Sequence, residues 1–244
     1  MIGRARGRFA ALRRVGPAVA LREIGARLWS TRIEYELECR LTTLPPRPTA
    51  RIPVQIYERD PATFDGFERE LREARGVTYG QLLRRAEACR AGLVGIHAAS
   101  STDGEFLYAQ WLLSPANRDR LASIAEGPWR PLSPDEVLLE YAYSFSRARG
   151  LGVMADGMGQ ILELAAAAGA QLAVTYVRTD NVPSLRGCAR VGFAPARIAE
   201  TTYRLGRASH AFRTATLSEL LAWDEAVATR EHGGQIKETG RQIA

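Results

Sequence analysis

Two short stretches of this chain hold residue types that can do chemistry. In the first, Arg149-Gly150-Leu151-Gly152-Val153-Met154 opens an alanine-rich run that ends at Gly169. A glycine turn feeding a helix start collects unpaired backbone N–H groups at the positive end of the helix dipole, and both favour phosphate oxygens. Glycines also let the backbone take strained angles and approach a ligand closely. In the second, Asn181 and Ser184 lie three apart. They share one face of a helix start and can reach a ligand oxygen. The alternative for Asn181 is helix capping.

The acid/base candidates lie elsewhere. In Val137-Leu138-Leu139-Glu140-Tyr141-Ala142-Tyr143-Ser144, the side chains of Val137, Leu139, Tyr141 and Tyr143 alternate with Glu140, Ala142 and Ser144 on the other strand face. A carboxylate within an apolar strand is a candidate general base, acting directly or through water. A salt bridge or a surface position is the competing reading. His97 is a second candidate base, against a structural role for a lone strand histidine. Cys188 is a candidate proton donor, since a free thiol titrates at about 8.5. It reads equally as a small packing residue, free cysteines being often buried. A covalent acyl-cysteine finds no activating base beside it.

These residues need elements to position them. Ile33, Tyr35, Leu37, Cys39 and Leu41 alternate with charged residues, which predicts a half-buried strand. Leu44-Pro45-Pro46-Arg47-Pro48 reads as a stiff linker and a domain boundary. The pattern then predicts a strand over 52–57, a helix from Asp60-Pro61 with Phe64, Phe67 and Leu71 on its apolar stripe, and a helix over 77–90. A hairpin follows, 92–99 and 105–113, joined through Ser101-Thr102-Asp103-Gly104. A long connector over 115–133, with a helix at 117–125, leads to the strand 137–145 and the glycine turn. Strand 171–178, the Asn181 helix, a Val191-Gly192-Phe193 turn, a strand over 197–205 and a helix over 217–227 complete the pattern. Two helical stretches divided by Pro17 are expected before residue 33, and disorder from His232.

Composition sets outer bounds. The chain has 244 residues, 46% apolar and 25% charged, ordinary for a globular protein. It divides into a basic extension over 1–50, a central domain over 51–206 and a C-terminal helix and tail over 207–244. No apolar run approaches the roughly 18–20 residues of a membrane span. Three widely spaced cysteines, Cys39, Cys89 and Cys188, suggest neither a disulfide framework nor a metal site, and a reducing cytoplasm fits. Lys237 is the only lysine among 33 Lys+Arg, which with the abundant alanine suggests a GC-rich, bacterial genome. Net charge is +6, with Arg4, Arg6, Arg8, Arg13, Arg14 and Arg22 all preceding the first acidic residue, Glu23. Such a segment is either a solvated basic helix or an attractor for an acidic carrier protein, RNA or an anionic surface.

Taken together, the glycine turn, the helix to Gly169, the strand to Arg178, Asn181-Val182-Pro183-Ser184 and Gly192-Phe193 resemble the GNAT acyltransferase superfamily. The resemblance spans about 52–206 and is sharpest over 137–193. The superfamily pattern Arg/Gln-x-x-Gly-x-Gly/Ala fits fully in the frame starting at Arg147. The frame from Arg149 places Gly169 and Asn181 without gaps and is preferred, with Met154 standing where the last glycine would be. That side chain either crowds a pyrophosphate or turns into the core.

The resemblance implies an α/β fold, a mixed, V-split sheet flanked by helices. It implies an N-acyltransferase in which an amine attacks a pantetheine thioester directly within a ternary complex. Acetyl-CoA or another acyl-CoA is the default donor, without a metal. Ala142, Tyr143 and Ser144 would hold the thioester arm, Arg149, Gly150, Leu151, Gly152, Val153 and Met154 the phosphates, and Asn181 and Ser184 the arm or a phosphate. Glu140, Cys188 and His97 are the catalytic candidates. Cys188 stands where many relatives carry a tyrosine that protonates the leaving thiolate. The acceptor is expected to be a small-molecule amine, and a homodimer is left open. One rival keeps the fold and takes an acidic phosphopantetheinyl acyl carrier protein as donor, in a natural-product or cell-envelope biosynthesis. A second rival is a degenerate, non-catalytic binding module. A third, a transferase using aminoacyl-tRNA, rests on charge alone.

Overall fold

The structure, a computed structural model, describes residues 28–228 together with 21, 25 and 26. The helical stretch before Pro17 and the tail from His232 lie outside the described residues; in the stretch after Pro17, residues 21, 25, 26 and 28 are helical. The strands are β1 Trp29–Arg40, β2 Ile56–Arg59, β3 Ile96–Ser100, β4 Phe106–Leu113, β5 Glu136–Ser144, β6 Leu172–Arg178, β7 Ala194–Arg204 and β8 Arg207–Arg213. The helices are α1 Gly66–Leu71, α2 Gly76–Arg90, α3 Pro115–Ile124, α4 Val153–Ala167, α5 Val182–Arg190 and α6 Leu217–Ala228.

One eight-stranded sheet runs in the order β2-β3-β4-β5-β6-β1-β7-β8. Among the described strands its only parallel neighbours are β5 and β6, and they pair over just Glu136–Leu138 and Leu172–Val174. Both strands continue past that point without pairing, so the sheet opens into the expected V between them. Side chains alternate between two cores. Leu139, Tyr108 and Ala173 face α4, α5 and α6, while Leu138, Trp111 and Val174 face α1, α2 and α3. On the second face Phe67 of α1 stacks on Trp111 at 5.6 Å and on Phe145 at 5.8 Å. Burying an aromatic of that size stabilises the fold by about 1.5–3 kcal/mol.

The strand expected near 33–41 forms, but it is no appendage. β1 pairs with β6 from Glu34↔Arg178 to Arg40↔Leu172, and with β7 from Trp29↔Arg204 to Glu38↔Ala194. Tyr35, Leu37 and Cys39 enter one core. On the opposite face Glu36, fully buried, accepts from Arg130 Nε at 2.9 Å and Arg197 Nη2 at 2.6 Å. The proline-rich segment does not separate two bodies either. It runs along α4, where the Ala50 N–H donates to Asp156 Oδ2 at 2.9 Å and the Ile56 N–H to Gln160 Oε1 at 3.0 Å. The C-terminal boundary shifts likewise. Leu205 and Gly206, with φ of 50° and 79°, turn the chain into β8, which pairs along β7. β8 is an exposed edge strand of small and basic residues, so its sequence lacks the alternation that marks β7.

Candidate active site

The glycine turn has the form its sequence suggests. After β5 the chain makes a short 3-10 turn at Ser146–Ala148, and α4 begins at Val153. Gly150 and Gly152 have φ of 78° and 84°, angles a side chain would strain. Among the described residues, no acceptor meets the amides of Gly150, Gly152, Val153, Met154 or Ala155. Five unpaired N–H groups at one helix start favour a nearby anion. Asp156 follows directly, but Ala50, Gln160 and Arg47 hold its carboxylate on the outer side of α4. Leu151 departs from expectation. Its carbonyl accepts from the Arg51 N–H at 2.8 Å, and its side chain packs against the core rather than lining the cleft.

Arg149 is oriented by its neighbours. Its Nη2 donates to the Tyr143 hydroxyl at 3.0 Å and its Nε to the Ser144 carbonyl at 3.3 Å. The Tyr143 hydroxyl in turn donates to Glu70 Oε1 at 2.9 Å, which also accepts from the Ser146 amide and hydroxyl. Burial, with the Glu70 carboxylate beside it, pushes the Tyr143 phenol up to about 12. Tyr143 therefore holds its proton at neutral pH and anchors the turn to α1.

Across the gap stands the start of α5. Asn181 takes φ −92° and ψ 63°, and its side chain does not cap the helix. The capping role considered for its side chain is not used, and Asn181 lines the cleft beside Ser184. Met154 turns towards α5: a Cβ on Gly187 would lie 3.0 Å from its sulfur. Its side chain thus bridges α4 and α5 and leaves the turn amides open. Cys188 points away from the cleft into the core, 1% exposed, and burial pushes its thiol up to about 12. The structure therefore assigns Cys188 to packing and corrects the expectation of a proton donor there.

A cleft of about 2430 Å³ joins these parts. Ala142, Tyr143, Ser144, Arg149, Gly150, Gly152, Val153, Met154, Asn181 and Ser184 line it, as does Glu140. Burial dominates the Glu140 environment, the Glu34 carboxylate adds to it, and Arg85 with a hydrogen bond from Trp129 opposes; the net effect raises the carboxyl to about 7. A carboxylate titrating there can accept a proton from an attacking nucleophile at physiological pH.

Next to it, β5 bulges. Ala109 pairs with Tyr143 and Trp111 with Glu140, so Tyr141 and Ala142 together face Gln110. Tyr141 has φ 57°. Among the cleft residues that escaped the sequence reading are Arg85, Trp129 and Glu34. Glu34 was visible only as one charge of an alternating strand. It reaches the site because β1 lies in the middle of the sheet. Its pKa is raised, by burial first, with Arg32 3.2 Å away pulling the other way.

His97 is elsewhere. It lies on β3 between Glu58 of β2 and Gln110 of β4, 8% exposed, with Nδ1 3.0 Å from the Gly95 carbonyl. It does not line the cleft, because β3 lies two strands from the opening. Among the described residues no group of three or more His, Cys, Asp or Glu could hold a metal. No described helix is long and apolar enough to cross a membrane.

A mixed sheet that opens between two parallel strands, with an amide-rich turn at the mouth of the opening, defines a GNAT-like fold. The chain is similar to solved structures. One is a GCN5-related glucosamine N-acetyltransferase region of a fungal multi-domain GH3 β-N-acetylglucosaminidase, with TM-score 0.51 and 13% identity over 74% of this chain and 22% of that one. Others are a GNAT-family acetyltransferase from Colwellia psychrerythraea (TM-score 0.46, 16% identity, 72% and 57% coverage) and a GCN5-related N-acetyltransferase from Sphaerobacter thermophilus (TM-score 0.45, 14% identity, 77% and 57% coverage). The chain thus spans less than two thirds of each of these structures. No protein-family model matches the chain, and no curated protein matches it.

Proposed function

We propose that this protein is an N-acyltransferase that moves an acyl group from a pantetheine thioester, with acetyl-CoA or another acyl-CoA as donor, to a small-molecule amine. The observation that carries this reading is the meeting, in one cleft, of a free-amide helix start and a carboxyl that titrates at about 7. The amides of Gly150, Gly152, Val153, Met154 and Ala155, with Arg149, would take the donor phosphates. Asn181 and Ser184 would bond the arm, and the β5 backbone over Ala142–Ser144 would carry it to Glu140.

Glu140 takes a proton from the amine nitrogen, which forms a bond to the thioester carbon. The resulting tetrahedral intermediate collapses, the C–S bond breaks, and the thiolate leaves with the sulfur electron pair and is protonated. Cys188 supplies no such proton, being buried, so the proton comes from water or the acceptor itself.

Calorimetry with acetyl-CoA and with a phosphopantetheine-loaded carrier protein tests the donor. Tight acetyl-CoA binding, with thiol release once an amine is added, is the expected result. Binding of the carrier alone would replace CoA with a carrier protein. Binding without thiol release across a panel of amines would make the chain a binding module.

A further inference from the structure

Arg85 of α2 reaches across the cleft to β5. Its Nε donates to the Tyr141 carbonyl at 2.8 Å and its Nη2 to the Ala142 carbonyl at 2.9 Å, while Nη1 is tied to the Gln81 carbonyl at 2.9 Å. Successive carbonyls of a regular strand point to opposite sides. One guanidinium can take both only because β5 bulges there. A tyrosine at φ 57° costs about 1–2 kcal/mol, and a planar two-pronged donor is well shaped to offset it. The guanidinium also lies 5.6 Å from the Tyr141 ring centroid and 5.2 Å from that of Tyr143. Burial first, then the neighbouring Arg84, lower its pKa to about 10, so it is charged at neutral pH.

We propose that Arg85 is a positioning residue of this site: its forked guanidinium fixes the β5 bulge and holds a positive charge beside the Glu140 carboxylate. This rests on the acyl-transfer reading of the cleft. The groups acting on Glu140 are Arg85 from α2, Glu34 from β1 and Trp129 from the connector before β5, with Tyr141 adjacent on its own strand; Arg84 and Glu87 of α2 line the same cleft and act on Tyr141. Tyr176 and Arg178 line the same opening from β6. Within this set Arg85 alone binds the bulge, so it alone couples backbone shape to the charge of the base.

Two variants of the full chain separate shape from charge. Arg85→Lys keeps the charge and loses the fork; Arg85→Gln loses both. With carbon-13-labelled glutamate, and Glu140→Gln to assign the signal, the wild-type Glu140 carboxyl is expected to titrate near 7. In Arg85→Gln the midpoint rises by about one pH unit. In Arg85→Lys it stays near the wild-type value, while the backbone amide signals of Tyr141–Tyr143 shift or broaden. Thermal melts establish that each variant is folded. An unmoved midpoint in folded Arg85→Gln overturns the proposal. So do unmoved Tyr141–Tyr143 amides in Arg85→Lys, which decides the matter even if the glutamine variant fails to fold. Turnover is read separately: a wild-type protein that transfers nothing sinks the acyl-transfer reading, while the two spectroscopic results still decide Arg85.

Discussion

The base role proposed for Glu140 and the thermodynamic cost of its burial are both measurable. As the base it must be ionised, so kcat/KM is expected to rise with pH through about 7. Glu140→Gln should lower kcat/KM by about 10²–10⁴. The same burial makes a stability prediction of fixed sign. A carboxyl raised from 4.5 to about 7 by folding keeps a proton that the unfolded chain releases. Its contribution to stability is present below 4.5 and is lost as pH rises towards 7. Glu140→Gln should therefore melt higher than wild type at pH 8, by about 1–3 kcal/mol, with the gap closing at pH 4. A slower, tougher variant is the signature of a strained functional group. The cysteines behave oppositely. All three are buried, so iodoacetamide should label none of them in the native protein and all of them after unfolding. Cys188→Ala should cost about 1 kcal/mol and keep turnover within about twofold.

The elements show where sequence patterns reach and where they stop. α2, α4 and the Gly104 hairpin formed close to their expected limits, because periodicity and turn chemistry are local signals. The glycine turn was legible for the same reason: its left-handed glycines before a helix start are a local signal. Replacing Gly152 with alanine should test it, costing about 1–2 kcal/mol for a side chain at φ 84° and raising the donor KM as the amides tilt. Partners across the sheet were not legible. Alternation in β1 declared which side chains share a face, and nothing in it names β6 and β7 as neighbours. The same gap hid Glu34, Arg85 and Trp129, which reach the cleft from three separate segments. Truncation to residue 44 makes the point experimentally. A dispensable basic extension would leave a folded enzyme that still uses acetyl-CoA. Removal of a strand paired on both sides should instead yield insoluble or unfolded protein by circular dichroism.

At the scale of the whole molecule, the proposed donor site joins α4, α5 and both limbs of the split sheet, so a bound donor should hold them together. Acetyl-CoA at a hundred times its Kd is expected to add about 2.7 kcal/mol to unfolding, a rise in Tm of several degrees for a domain of this size. The gain should shrink with salt if phosphates are the anchor; a salt-independent gain would place the binding energy elsewhere. The sheet order also carries a consequence for how the chain is made. Among the described strands β1 is made first, and both of its partners, Leu172–Arg178 and Ala194–Arg204, follow only after β2 to β5. At about 5–20 residues per second, a strand bearing Tyr35, Leu37 and Cys39 waits unpaired for many seconds of synthesis. During that interval it is exposed to wrong pairings, with other nascent chains as much as with its own. The alternating charges of Glu34, Glu36 and Glu38 then serve a second purpose, keeping an unfinished protein soluble until its sheet can close.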